Sequence, residues 1–134
     1  MKKSLCFLIG LFILFSFNCY AADSLTAQQK EAKEWLEKAK DVDSIELRIE
    51  YYTKAIELCP KHIFANYIRG WAYSDLGEYQ KAIDDYTKAI ELDPKYDDAY
   101  SFRGFVYAYF DEYQKAIDDY TKAIELNPKN VVVY

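Results

Sequence analysis

Apolar residues recur at three- and four-residue spacing through most of the chain, and the phase of this pattern breaks at regular intervals. Ala65, Ile68 and Ala72 follow one such stretch, and a second stretch begins at Tyr79, after Gly77. This spacing is typical of amphipathic helices, which commonly end near glycine or proline. The pattern predicts an all-α fold of successive helix–turn–helix hairpins, with helices near residues 25–40, 45–58, 63–76, 79–92, 97–110 and 113–126.

The sequence itself also recurs at a regular period along the chain. Glu78–Leu92 and Glu112–Leu126 are identical throughout, and further matches on both sides make segments 63–96 and 97–130 two close copies that align without a gap. A weaker upstream copy ends in Tyr51–Lys61. The periodicity predicts a tandem array: a degenerate first hairpin at 22–62, a second at 63–96, a third at 97–130 and the start of a truncated fourth copy at 131–134.

The two strong copies resemble the tetratricopeptide repeat family, whose repeating pattern places small, aromatic and proline residues at fixed positions. The resemblance implies a right-handed solenoid in which small residues let helix backbones approach and aromatic rings fill the space beside them. The residues that carry the resemblance are Gly70, Tyr73, Ala82, Tyr86, Ala89 and Pro94 in the second hairpin, and Gly104, Tyr107, Ala116, Tyr120, Ala123 and Pro128 in the third.

Three residues depart from the family pattern. Asn66 replaces a bulky residue, Leu36 stands where glycine or alanine is usual, and Arg48 stands where alanine is usual. The first hairpin is therefore expected either to pack more loosely than the others or to serve as a divergent cap. Thr26 and Gln29 have the spacing of a capping box for its first helix.

The resemblance also implies a concave groove formed by the first helix of each hairpin. Four aromatic residues on this face, Tyr67, Trp71, Phe105 and Tyr109, are expected to be exposed anchors for a peptide, or alternatively to pack against the neighbouring repeat. The groove face implied for the second and third hairpins comprises Phe64, Tyr67, Trp71, Ser74, Asp75, Asp98, Ser101, Phe105, Ala108 and Tyr109.

Charged groove residues suggest which ligands suit this face. Asp75 and Asp98 favour a partially basic protein or peptide partner. Some members of the family bind a C-terminal carboxylate through lysine and asparagine, and Lys33 stands at one such position. Glu37, Tyr67 and Trp71 do not fit that arrangement, so this ligand class is not predicted.

Each strong copy carries an arginine where the family often has leucine, together with an aspartate pair on its second helix. Because these residues recur together, we predict structural ion pairs between Arg69 and Asp85 and between Arg103 and Asp119. The alternative is that the arginines bind a carboxylate of a ligand.

The N-terminal segment has the pattern of an export signal. Two lysines precede the apolar stretch Leu5–Phe17, and Cys19 and Ala21 are small residues where a signal peptidase would cut. The pattern predicts a signal peptide at residues 1–21 and a periplasmic or secreted chain. Retention of the segment as a membrane anchor and lipidation of Cys19 are the alternatives, and a membrane association is expected only if the segment is retained.

Composition and motifs argue against several functional classes. The chain has a net charge of −5, which disfavours nucleic acid as a partner. Cys59 and His62 are too few for a metal site, which needs three or four ligands. The sequence contains no phosphate-binding glycine loop and no nucleophile motif, so neither an enzyme, a cofactor nor a small-molecule substrate is predicted. Cys59 is either a simple loop substitution or a partner in an intermolecular disulfide.

The leading hypothesis is a non-enzymatic scaffold outside the cytoplasm that binds a peptide or helix in the groove. The alternative is an assembly or oligomerisation subunit, or a fragment of a longer array. A fourth copy begins at Val131 and stops at Tyr134, so the helix at 113–126 lacks its packing partner. Because repeat arrays need a polar cap, self-association through this end is expected.

Overall fold

The computed structural model describes residues 26–129, and these contain six α-helices and no strand. The all-α prediction is confirmed, and the predicted helix limits lie close to the observed ones at every helix end. The predicted signal peptide at 1–21 and the start of a fourth copy at 131–134 lie outside the described residues. The helices are α1 (Ala27–Lys40), α2 (Ile45–Leu58), α3 (Ile63–Asp75), α4 (Tyr79–Leu92), α5 (Asp97–Tyr109) and α6 (Tyr113–Leu126).

The helices pair as three hairpins, α1–α2, α3–α4 and α5–α6, which stack in chain order as a solenoid. Each second helix also contacts the first helix of the next hairpin, and α3 contacts α5. The first helices therefore form one layer of the solenoid. Among α1–α6, none combines the length and apolar character needed to cross a membrane.

Side chains cap the first three helices as their sequences predict. The backbone N–H of Gln29 donates to Thr26 Oγ1 at 3.2 Å, and the backbone N–H of Thr26 donates to Gln29 Oε1 at 2.8 Å. This is the predicted capping box. Ser44 accepts from the N–H of Leu47 at the start of α2, and His62 Nδ1 accepts from the N–H of Ala65 at the start of α3.

The turns within the second and third hairpins share one geometry. Gly77 and Asp111 occupy the left-handed region, with φ of 75° and 60°. The next N–H, from Glu78 or its counterpart Glu112, donates to a carbonyl in the last turn of the preceding helix at 2.9 Å. This is the Schellman arrangement, which satisfies carbonyls at a helix end and which glycine adopts most readily.

Small residues allow the two helices of a hairpin to approach, as the resemblance implies. A Cβ atom added at Gly70 would lie 3.0 Å from the Tyr86 ring and 3.2 Å from the Ala82 carbonyl oxygen. At Gly104, the nearest ring is that of Tyr120, at 3.2 Å. A larger residue at either position would force the helices apart, because protein interiors have little free volume.

The departures of the first hairpin have local explanations. Leu36 is buried between α1 and α2, beside Tyr52 and Ala55. The Arg48 guanidinium donates to the Val42 carbonyl oxygen at 3.0 Å, so it ties the turn between these helices.

The start of α3 and the outer face of α1 complete this picture. Asn66 is buried and donates to the His62 carbonyl oxygen at 2.9 Å. Glu31, Glu34 and Lys38 stand on α1 where Ala99, Phe102 and Val106 stand on α5, and all three are exposed. The polar outer face of α1 agrees with the expectation of a divergent cap.

Candidate functional site

The predicted groove residues lie on α3 and α5, in the layer of first helices. Five of them are exposed: Phe64, Trp71, Asp75, Phe105 and Tyr109. The other five are half-buried: Tyr67, Ser74, Asp98, Ser101 and Ala108. The structure therefore presents four exposed aromatic rings along two neighbouring helices.

Tyr67 is a correction to the expected set of exposed aromatic residues. Its ring packs edge-on against Tyr96 and Phe102, with centroid separations of 5.2 and 5.7 Å, and lies 6.1 Å from the Tyr86 ring. The third hairpin supplies Phe102, so Tyr67 is enclosed by its neighbour. The packing alternative thus holds for Tyr67, which supports the groove from below. Tyr109 combines both roles, because its exposed ring also lies 4.6 Å from that of Tyr79.

A cavity of about 700 Å³ opens beside the start of α1, and sequence reasoning did not predict it. Its lining includes Lys33, Leu58, Lys61 and His62. One repeat later, Tyr67 and Tyr96 occupy the positions of Lys33 and His62, and their rings are in contact. Replacing two packed rings by a lysine and a histidine leaves an open, positively charged pocket. Alignment of the first copy with the second was the signal that could have revealed it.

The predicted ion pairs are confirmed by the geometry of both arginines. Arg69 donates to both carboxylate oxygens of Asp85 at 2.7 Å, and its third nitrogen donates to Thr53 Oγ1 at 3.1 Å. Arg103 repeats the arrangement, with distances of 2.8 Å to Asp119 and 2.9 Å to Thr87. We call each Thr–Arg–Asp set an arginine bridge, because it links three successive helices. The arginines are engaged within the fold, which favours the structural interpretation over a ligand site.

Burial and pairing have opposite effects on the titration of these groups. The hydrogen bond from Asp85 raises the pKa of Arg69, and Asp119 does the same for Arg103. Burial raises the pKa of Asp85, and the adjacent Arg69 guanidinium opposes that shift. Both arginines therefore remain charged at every ordinary pH.

Sequence-family comparison identifies the repeated unit. The model of the tetratricopeptide repeat matches residues 64–96 and 97–130, which together make up half of the chain. The chain belongs to the tetratricopeptide repeat family. No curated protein matches it at a significant level.

Solved tetratricopeptide repeat structures are similar to this chain over most of its length. The first TPR domain of Spaghetti (RPAP3), solved with the HSP90 peptide SRMEEVD, is 27% identical with a TM-score of 0.74, covering 77% of this chain and 84% of that one. The Arabidopsis OM64 TPR domain is 27% identical with a TM-score of 0.75, covering 78% and 89%. MamA is 27% identical with a TM-score of 0.71, covering 76% of this chain and 61% of its own.

The first tetratricopeptide hairpin replaces the arginine bridge by an aromatic pair. Trp35 and Tyr51 stand at the positions of Arg69 and Asp85, and their ring centroids are 5.3 Å apart. Lys54 Nζ lies 4.5 Å from the Trp35 ring centroid. Both members of the pair have changed together, so contact between α1 and α2 is kept with different chemistry.

Metal ligands are sparse in the described part of this tetratricopeptide array. Within residues 26–129, no three His, Cys, Asp or Glu side chains are grouped so as to hold a metal ion. His62 Nδ1 is used as a helix cap, and Cys59 is a free, half-buried thiol. Residues of the groove and the pocket thus offer contacts for binding: aromatic faces, carboxylates and ammonium groups.

Proposed function

We propose that this tetratricopeptide repeat protein is a non-enzymatic scaffold that holds a peptide or helix of a partner protein against the layer of first helices. The observation that carries the proposal is the set of four exposed aromatic rings at Phe64, Trp71, Phe105 and Tyr109. Large aromatic side chains contribute more binding energy per residue than most others, and a cluster of them on a rigid surface suits peptide recognition. The peptide bound to the similar RPAP3 domains supports the same class of ligand.

Charges along the groove suggest how the ligand is oriented. Asp75 is exposed beside the aromatic rings, and it favours a basic group on the ligand. Lys33 and Lys61 line the pocket at the start of α1, and within residues 26–129 neither takes part in an ion pair. We expect a ligand with apolar anchors, a basic group near Asp75 and an acidic group near the pocket.

The carboxylate-binding arrangement known from some family members is not part of the proposal. Glu37 stands on α1 in place of a neutral donor and binds Lys40 Nζ at 2.9 Å. An acidic residue at this position repels a terminal carboxylate. The proposed ligand is therefore an internal peptide segment rather than a free C terminus.

Intrinsic fluorescence provides a direct test, because the chain has only two tryptophans. In a Trp35→Phe background, Trp71 is the single reporter and lies on the groove. Titration with a panel of short peptides that combine aromatic, basic and acidic residues is expected to change its emission saturably. Labelled peptides that bind should lose about 30-fold in affinity to Trp71→Ala, because a binding hot spot is worth about 2 kcal/mol.

Leu76→Ala is the matched control, since Leu76 is 36% exposed and Trp71 is 38% exposed in the same hairpin. It is expected to leave affinity unchanged. Equal affinity of the wild type and Trp71→Ala would contradict groove binding.

We also propose that the chain acts outside the cytoplasm, on the basis of the signal-like pattern at residues 1–21. Mass spectrometry of the protein from expressing cells is expected to give a chain beginning at Ala22. A chain that retains residues 1–21 in the membrane fraction would support anchoring instead. A lipid adduct lost in Cys19→Ser would support lipidation.

A further inference from the structure

The outer face of α6 repeats a surface that is covered elsewhere in the same molecule. We define the end face as Tyr113, Ile117, Thr121 and Ile124, all exposed; the three apolar residues have exposed fractions of 60%, 56% and 48%. Helix α4 has the identical sequence from end to end, and its matching residues Tyr79, Ile83, Thr87 and Ile90 are half-buried. The α4 surface therefore serves as a template for what the end face binds.

Helix α5 covers the template surface with three kinds of contact. The ring of Tyr79 packs against Tyr109 and Phe110, with centroids 4.6 and 5.3 Å apart. Phe102 packs near Tyr86, at a centroid distance of 6.2 Å, and Val106 is completely buried. An occupant of the end face thus needs apolar side chains at the helical spacing of α5.

The arginine bridge adds a polar requirement to this apolar one. Arg69 from α3 reaches back to Thr53 on α2, and Arg103 from α5 reaches back to Thr87 on α4. Thr121 is the next threonine in this series and is exposed on α6. An incoming helix with arginine at the position of Arg103 would place a donor at this hydroxyl, and its positive charge is complementary to a chain of net charge −5.

The first helix of a second copy does not meet these requirements. Where α5 carries Phe102, Arg103 and Val106, helix α1 carries Glu34, Trp35 and Lys38. Stacking α1 of one copy on α6 of another would bury two charged side chains against an apolar surface, which is costly without partners. Head-to-tail assembly, one form of the expected self-association, is therefore disfavoured.

We infer that the end face is a docking surface for a helix of another polypeptide that carries alanine, phenylalanine, arginine and valine at the spacing of Ala99, Phe102, Arg103 and Val106. The inference is independent of groove binding, because the end face belongs to a second helix and the groove to the first helices. It extends the α4–α5 interface by one repeat, using the same residues on the receiving side.

A synthetic peptide of residues 97–110, acetylated, amidated and fluorescently labelled, provides the probe. Anisotropy titration against the full chain is expected to show saturable binding. An Arg103→Met peptide should bind about 10-fold or more weakly, because a hydrogen bond from a charged group is lost. A peptide of residues 27–40, which has the α1 sequence, should not bind.

Variants of the full chain locate the site. Ile117→Asp is expected to abolish binding, and Thr121→Val should weaken it about 5-fold or more, because the hydroxyl that accepts from the arginine is lost. Leu76→Asp places the same charge at an exposed apolar residue of another hairpin and should leave the affinity unchanged. Circular dichroism checks that each variant is folded, and amide chemical-shift changes in the wild type should centre on α6.

Three results would overturn the inference. Equal binding to wild type and Ile117→Asp would place the peptide elsewhere, including on α4 by displacement of α5. Equal binding of the α1 peptide would remove the sequence requirement. A wild-type dimer by analytical ultracentrifugation that excludes the peptide and becomes monomeric in Ile117→Asp would identify a second copy as the occupant.

Discussion

Helices α4 and α6 have the same sequence but different surroundings. On the inner face the two agree, since Ala82 and Ala116 are both buried against the first helix of their own hairpin. On the outer face they differ: Tyr86 is completely buried, whereas its counterpart Tyr120 is half-buried. Identical sequence therefore gives the same helix and the same hairpin, and the adjoining hairpin decides how much of the outer face is buried.

This difference has an energetic consequence. Fully burying a large apolar side chain contributes about 1.5–3 kcal/mol relative to leaving it exposed. The outer face of α4 gains this stabilisation from α5, and the end face of α6 does not gain it within residues 26–129. Since stability in repeat arrays is roughly a sum of hairpin and interface contributions, α6 should open before α4.

The largest expected effect comes from removing the same ring from each helix. Tyr86→Ala should lower the free energy of unfolding by about 3–5 kcal/mol, because it leaves a cavity between hairpins. Tyr120→Ala should cost roughly half as much, because its ring is already partly in solvent. Urea denaturation followed by circular dichroism measures both, and equal losses would break the comparison.

A smaller effect is expected from the arginine bridges, which should be equal in the two hairpins. A double-mutant cycle on Arg69 and Asp85, using alanine at each position, should give a coupling energy of about 1–3 kcal/mol. The cycle on Arg103 and Asp119 should give the same value, because both pairs are buried to a similar extent and have matching distances. Additive single and double mutants at either pair would show that the hydrogen-bonded geometry contributes no net stability.

The smallest effect concerns the hydroxyl of Tyr86. Burial raises its pKa well above the ordinary value of 10.0, and among the described residues the hydroxyl has no hydrogen-bond partner. Above pH 10, the unfolded chain therefore loses this proton more readily than the folded chain, so stability should fall as pH rises. Tyr86→Phe should add up to about 1 kcal/mol at neutral pH and should reduce the alkaline loss.

Urea denaturation at pH 7 and at pH 10.5 measures this effect, with Tyr120→Phe as the comparison for the position not enclosed by a following hairpin. A steeper alkaline loss in Tyr86→Phe than in the wild type would contradict the assignment of the effect to this hydroxyl.

Predictions from the sequence succeeded where the relevant contacts lie within one repeat. The helix limits, the capping box at Thr26 and the pairing of Arg69 with Asp85 all follow from residues at fixed spacing in the chain. Such contacts recur with the period of the repeat, so a single copy contains the information.

Predictions failed where two repeats meet. Tyr67 was expected to be exposed, yet Phe102 of the next hairpin encloses its ring. The pocket beside Lys33 and the stacking of Trp35 on Tyr51 were not predicted, because a deviation from the family pattern does not indicate which contact replaces the usual one. Comparison of paired positions between copies would have found the aromatic exchange, since both partners changed together.

By itself, the sequence determined the all-α fold, the three hairpins, their internal arginine–aspartate pairs and the tetratricopeptide repeat family. Local periodicity, capping and contacts within one repeat are sufficient for these features. Only the tertiary structure decided which aromatic rings stay in solvent, where the pocket opens and which copy of an identical helix is covered. The physical reason is that burial depends on the neighbouring hairpin, and α4 and α6 acquire different environments from one and the same sequence.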